Sequence, residues 1–250
     1  MIDVIIQARM GSSRLPGKVL MKLNGVSVLQ CMINQLDYSK SLNRKIIATS
    51  TNEEDNVIFE SAKDIGVDSF RGNDLDVLDR YYQCAKYFSV QHIVRITADC
   101  PLIDPQIVDK TIEFYKKNDF NYVNNFHKKT FPSGTEVEVF SFSTLEKVWK
   151  NAKKPSEREH VTSYIYTNPE QFSIGFIEYH EDLSNLHWTV DRTEDLNFVR
   201  ALYSKIHKQP ILLEDILNVI KDEPLILEIN KNTNPKEGYL KSLQNDNKNL

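Results

Sequence analysis

The sequence predicts an α/β protein with a largely parallel sheet. Short β-branched runs alternate with longer amphipathic stretches, the pattern of successive βα units. A cationic, glycine-containing turn follows the first apolar run, the place where open α/β sheets bind ligands. The 250 residues, 40% hydrophobic and 26% charged, suit one large folded domain, or one with a small appendage, and are too apolar for a disordered chain. A chain of this length buries roughly 70–75% of its unfolded surface, so stability needs neither disulfides nor metal.

The first predicted strand covers residues 4–7, and two more cover 45–49 and 92–96. Over 75–88 the helical period is clear: Val77, Leu78, Tyr81, Tyr82, Ala85 and Phe88 fall in one arc, with Asp76, Asp79, Arg80 and Gln83 opposite. Another helix begins at Asp104 and Pro105, a good N-cap followed by a residue preorganised for the first turn; Ile107, Val108, Thr111, Ile112 and Tyr115 share its buried face. Further strands are expected at 122–125, 136–140 and 172–177, and helices at 142–152, 157–167, 194–207 and 212–221. From residue 230 to 250 the chain is an Asn- and Lys-rich polar tail.

Composition also excludes. A net charge of −4 argues against duplex nucleic acid as the main partner. Cys31, Cys84 and Cys100 are an odd set without CxxC spacing, so neither a disulfide framework nor a zinc knuckle is indicated. No apolar run approaches 18 residues, and Met1 to Ile6 lacks the basic region that opens a signal peptide, so a cytoplasmic protein with no membrane partner is expected.

The most informative segment runs from Gln7 to Lys18. Arg9, Arg14 and Lys18 can neutralise polyphosphate oxygens, and Gly11 and Gly17 let backbone N–H groups approach an anion, beside Ser12 and Ser13. This is not a P-loop, because five residues separate the glycines and Val19 follows Lys18. The GxGxxG dinucleotide pattern is absent as well.

This run, Gln7-Ala8-Arg9-Met10-Gly11-Ser12-Ser13-Arg14-Leu15-Pro16-Gly17-Lys18, resembles the opening signature of the cytidylyltransferases that activate sugar acids, such as the KDO and sialic acid synthetases, and more closely their SpsF-type homologues of spore coat polysaccharide synthesis. The resemblance continues through Ala48 to Asn52, Phe70 to Gly72, Asp76 to Tyr81, Arg95 to Leu102, Glu138 to Ser141, Ser156 to Thr162 and Trp188 to Asp191, and so covers nearly the whole chain in order. It implies a three-layer α/β/α sandwich with a mixed, mainly parallel sheet, like the nucleotidyltransferase and glycosyltransferase-A folds. A nucleotide half, about 1–120, and an acceptor half, about 121–229, would share one domain, with a homodimer expected.

The activity implied is transfer of CMP from CTP to a sugar acid, or to a related acceptor such as a sugar phosphate, with release of pyrophosphate. Arg9, Lys18, Asp99 and Asp191 are the catalytic candidates. Ala8, Arg9, Gly11, Ser12, Arg14, Lys18, Arg71, Asp79 and Arg80 are the nucleotide candidates. Asp99 follows a strand and faces the same crevice as the cationic loop, where a carboxylate can hold Mg²⁺ against phosphate oxygens. By sequence alone Asp191 serves equally well as a helix N-cap, with Glu194 at a capping-box spacing; the resemblance makes it a second Mg²⁺ ligand. Asn124 (beside Asn125), Glu136, Glu138, Arg158 and His160 are the acceptor candidates, since Asn and Glu suit hydroxyl groups and Arg grips a carboxylate or phosphate with two hydrogen bonds. A glycosyltransferase using a finished nucleotide sugar, or a nucleotide-binding protein without turnover, stays open as an alternative. The first would favour an Asp-x-Asp motif, where Thr97-Ala98-Asp99 offers one carboxylate.

Overall fold

A computed structural model describes residues 1–233, Glu237 and Asp246. The chain opens with β1 (Asp3–Gln7), a small hairpin of β2 (Lys22–Leu23) and β3 (Val26–Ser27), and α1 (Val28–Leu36). It continues with β4 (Lys45–Ser50), α2 (Asn56–Ile65), β5 (Asp68–Gly72), α3 (Val77–Tyr87), β6 (His92–Thr97) and α4 (Pro105–Lys117). Then come β7 (Tyr122–Asn124), β8 (Glu138–Ser141), α5 (Phe142–Asn151), α6 (Pro155–Glu159), α7 (Ser163–Thr167), β9 (Ile174–Phe176), α8 (Thr193–Lys205) and α9 (Leu213–Asp222).

Seven strands form one sheet in the order β5-β4-β1-β6-β8-β7-β9. The pairs β4–β5, β1–β4, β1–β6 and β7–β9 are parallel, whereas β8 runs antiparallel to both β6 and β7. The sheet is therefore mixed and mainly parallel. Alternation along each strand builds the layers. Val4 and Ile6, Ile47, Val94 and Ile96, Val123 and Val139 enter a core with α1, α2, α4, α8 and α9. Ile5, Ile46 and Ala48, Ile93, Tyr122 and Phe140 enter a second core with α3, α5 and α7. This is the three-layer sandwich.

Local signals explain four of the helix starts. Ser27, Asp76, Asp104 and Ser141 each accept a backbone N–H at the head of α1, α3, α4 and α5. Three expectations change. The helix predicted over 157–167 is two five-residue helices, because the backbone breaks between them and Val161 takes a φ of 60° to place its side chain in the second core. The helix after Asp191 is capped by another residue: Asp195 accepts N–H groups of Asp191 and Arg192 at 3.1 and 2.8 Å. Arg80, expected on the polar side of α3, is fully buried, with Nη1 on the carbonyls of Asn73 and Asp74 at 2.6 and 3.3 Å.

Of the polar tail, Asn230 and Thr233 bond to Asp195 Oδ1 at 3.3 and 2.8 Å. Apart from Glu237 and Asp246, the tail from 234 onward lies outside the described residues. Among the described residues no helix is long and apolar enough to cross a membrane.

Candidate active site

The parallel strands β1 and β6 end side by side, with Gln7 opposite Thr97, and the chain beyond both opens into a cleft of about 380 Å³. Its lining includes Gln7, Ala8, Arg9, Gly11, Ser12, Ser13, Arg14 and Lys18 from the first loop, Arg80 from α3, Thr97 to Asp99 after β6, and Glu159. The loop is held from below. Asp55, buried and bonded to Ser50 Oγ, accepts the Met10 N–H at 2.7 Å, and Gly17 N–H closes onto the Met10 carbonyl at 2.9 Å. Gly17 sits at φ 71°, a conformation that favours glycine, and so turns the chain into Lys18.

Lys18 is the meeting point. Its Nζ lies 2.6 Å from Asp99 Oδ2 and 2.9 Å from Asp191 Oδ1, and Arg14 Nη2 reaches the same Asp191 oxygen at 2.6 Å. Burial would lower the Lys18 pKa, but the two carboxylates outweigh it and the net shift is upward. Burial would likewise raise Asp99, yet the Lys18 ammonium holds its carboxyl below the usual range. Because Asp195 does the capping, the Asp191 carboxylate is left to pair with Arg14 and Lys18 behind the cleft lining. Its approach is fixed by main chain: Trp188 N–H bonds to the Ser133 carbonyl and Val190 N–H to that of Asp99, both at 2.9 Å.

Arg9 Nη1 bonds to the carboxylate and carbonyl of Asp74 at 3.0 and 3.1 Å. Arg80 is held below its ordinary pKa by burial and then by Arg9, and its Nε and Nη2 are buried without a partner. Two other nucleotide candidates lie off the cleft. Arg71 donates to the carbonyls of Ser50 and Asn52 at 3.0 and 2.9 Å, and Asp79 accepts from Trp149 Nε1 and Gln83 Nε2 at 2.8 and 3.1 Å.

The acceptor candidates do not line this cleft either, and the structure gives each a local setting. Arg158 pairs with Asp76, Nη2 to Oδ2 at 2.5 Å. Glu138 accepts from Arg95, Tyr122 and Thr162 in the interior. Asn125 joins the Thr135 carbonyl to the Val137 N–H, and Asn124 Oδ1 accepts the N–H groups of Phe126 and His127 while its Nδ2 is buried without a partner. Glu136, pushed upward by burial, accepts the Gly134 N–H at 2.6 Å. Burial lowers His160, which follows cleft-lining Glu159. Gln7, Thr97 and Glu159 join the cleft without having been given a role from sequence; for Gln7 and Thr97 the available signal was their place at the ends of adjacent parallel strands.

The family model described as Cytidylyltransferase matches residues 4–233. Over 234 residues the chain is 41% identical to an uncharacterized protein of Methanocaldococcus jannaschii, covering 93% of this chain and 95% of that one. Over 230 residues it is 31% identical to the spore coat polysaccharide biosynthesis protein SpsF of Bacillus subtilis, covering 88% and 94%. The structure of a cytidylyltransferase from Leptospira borgpetersenii superposes with a TM-score of 0.88 at 33% identity, covering 93% of this chain and 98% of that one. Together, sheet, cleft and relatives define a nucleotidyltransferase. The chain belongs to the cytidylyltransferase family.

Proposed function

We propose that the protein transfers CMP from CTP to a sugar acid or related acceptor and releases pyrophosphate, supplying surface polysaccharide or glycan synthesis. The supporting observation is the convergence of Lys18 with Asp99 and Asp191 at a cleft lined by the Arg9-to-Lys18 loop. Nucleotidyl transfer needs positive charge on the phosphates, a positioned nucleophile and a stabilised leaving group. Arg9, Arg14 and Lys18 supply that charge from one loop. Arg80, with two donors buried and unpaired beside the cleft, adds a fixed cation. The acceptor hydroxyl gives up its proton to solvent and its oxygen forms the new bond to the α phosphorus as the bridge to the β phosphate breaks and pyrophosphate leaves.

Asp99 and Asp191 fit a hard divalent cation: both are carboxylates, they face one positive centre, and each turns a single oxygen to Lys18. In this reading they hold Mg²⁺, which supplies further charge neutralisation at the phosphates when bound. The acceptor side is assigned to the second half of the chain, where Glu159 lines the cleft and His160 follows it, while Asn124, Glu136, Glu138 and Arg158 are held by neighbours outside the lining. The relative named for spore coat polysaccharide biosynthesis supports the product class.

Isothermal titration with the four NTPs and Mg²⁺, followed by pyrophosphate release against a panel of sugar acids and sugar phosphates, tests the reading. CTP is expected to bind most tightly, with pyrophosphate formed only when an acceptor is present. Failure of every NTP to bind would remove it.

A further inference from the structure

Gln7 ends β1 and lines the cleft, yet the phosphate chemistry above gives it no task. Its amide is oriented from the interior. Arg95, on neighbouring β6, donates Nη2 to Gln7 Oε1 at 2.9 Å. A guanidinium has donors and no acceptor, so the amide atom that faces it is the oxygen, and the usual ambiguity of a glutamine is removed. Nε2 is therefore turned from Arg95. It is not among the buried polar atoms that lack a partner, and as Gln7 borders the cleft, this donor is open to it.

Arg95 is itself immobilised. Its Nη1 bonds to Glu138 Oε1, and its guanidinium lies 5.7 Å from the centre of the Tyr81 ring. Glu138 Oε2 accepts in turn from Tyr122, at 2.6 Å, and from Thr162. β6, β7, β8 and the α6–α7 connection thus set one side chain at the cleft floor. A donor fixed in advance loses little further side-chain freedom when a ligand engages it.

We infer that Gln7 is a specificity-determining residue whose Nε2–H meets a neutral acceptor on the nucleoside, either on the base or at a ribose hydroxyl, with Arg95 as its positioning residue. The inference rests on the nucleotide reading proposed above. The nucleoside is favoured over the phosphates because Arg9, Arg14 and Lys18 already provide charge for an anion, beside which a neutral donor adds little. Gln7 and Arg95 lie on the α3 face of the sheet with Ile5 and Ile93.

The test is titration of the full chain with Mg²⁺, using CTP and pyrophosphate against wild type, Gln7→Met and Gln7→Glu. Gln7→Met removes the donor without adding charge; Gln7→Glu keeps an acceptor for Arg95 and guards against a folding defect in the first variant. Both are expected to bind CTP about 5–10-fold more weakly, the size of one neutral hydrogen bond. Pyrophosphate should bind Gln7→Met as it binds wild type. With 2′,3′-dideoxy-CTP the penalty vanishes if the partner is a ribose hydroxyl and persists if it is the base. Arg95→Lys should weaken CTP but not pyrophosphate, and add nothing in the Gln7→Met background; full additivity overturns the positioning role. A Gln7→Met protein that binds CTP like wild type, or that loses CTP and pyrophosphate alike, overturns the inference. A wild type that binds no NTP defeats the functional reading instead.

Discussion

Val190 donates its backbone N–H to the carbonyl of Asp99, so the two carboxylates that face Lys18 are fastened by main chain as well as by charge. Their separation is thus set by the fold, and substitutions at either one should report on chemistry more than on structure. Asp99→Asn and Asp191→Asn are each expected to cut turnover by about 10²–10³-fold, the scale of a lost transition-state electrostatic contact. Pyrophosphate release measures this, with circular dichroism confirming that the fold persists.

Lys18→Met removes the shared cation. Asp99 then loses its charged partner, while Asp191 keeps Arg14. A stability loss of about 1–3 kcal/mol is expected, as for a charged hydrogen bond left unpaired in the interior. Denaturant titration gives this value. NTP binding in the same variant should weaken more than NTP binding in Arg71→Met, since Arg71 is occupied by two carbonyls off the cleft.

The same triad predicts a pH profile. Asp99 has a folded pKa below its unfolded value of about 3.9. The stability it contributes is therefore present above that pH and is lost as pH falls through the folded pKa. Lys18 is shifted upward from about 10.4, so its contribution is complete below that value and is lost as pH rises through the folded pKa. Between these limits the contribution of the pair should be flat. Melting temperatures of wild type and Lys18→Met, compared from pH 3 to pH 11 in roughly unit steps, should differ by a constant amount in the middle of the range, with any narrowing confined to its two ends.

Gly134 carries a different load. It adopts a φ of 102°, and a Cβ there would stand 2.7 Å from Trp188 Cδ1 and 2.8 Å from the Thr189 nitrogen. Gly134→Ala is expected to cost about 2–4 kcal/mol, combining backbone strain with overpacking. Because Trp188 and Thr189 lead directly to Asp191, activity per folded molecule should fall too. Active-site titration alongside thermal melting separates the two effects.

Much of this was legible in the sequence where a local rule governs. The alternation of Val4, Ile5 and Ile6 across the two cores follows the strand period. The cationic turn is recognisable because it follows a buried strand directly, and Asp104 with Pro105 mark the α4 start. What escaped depends on partners outside the local periodic pattern. Arg80 belongs by charge on the surface, but the carbonyls of Asn73 and Asp74 make a place for it inside. Arg158 has the chemistry of an acceptor-binding arginine, yet Asp76, which caps α3, holds it. The break at Val161 answers to the second core and has no glycine or proline to announce it. Gln7 acquires its orientation from Arg95, 88 positions away.

Asp195 ties the start of α8 to the beginning of the polar tail. One of its oxygens steadies the backbone at Asp191, and the other accepts from Asn230 and Thr233. Trimming the protein back to the last residue of the 3₁₀ turn at Pro224–Ile229 would look harmless, since what is discarded is polar. It would nevertheless unhook the aspartate that steadies the backbone at Asp191, and expression clones shortened there should be judged by turnover as well as by yield.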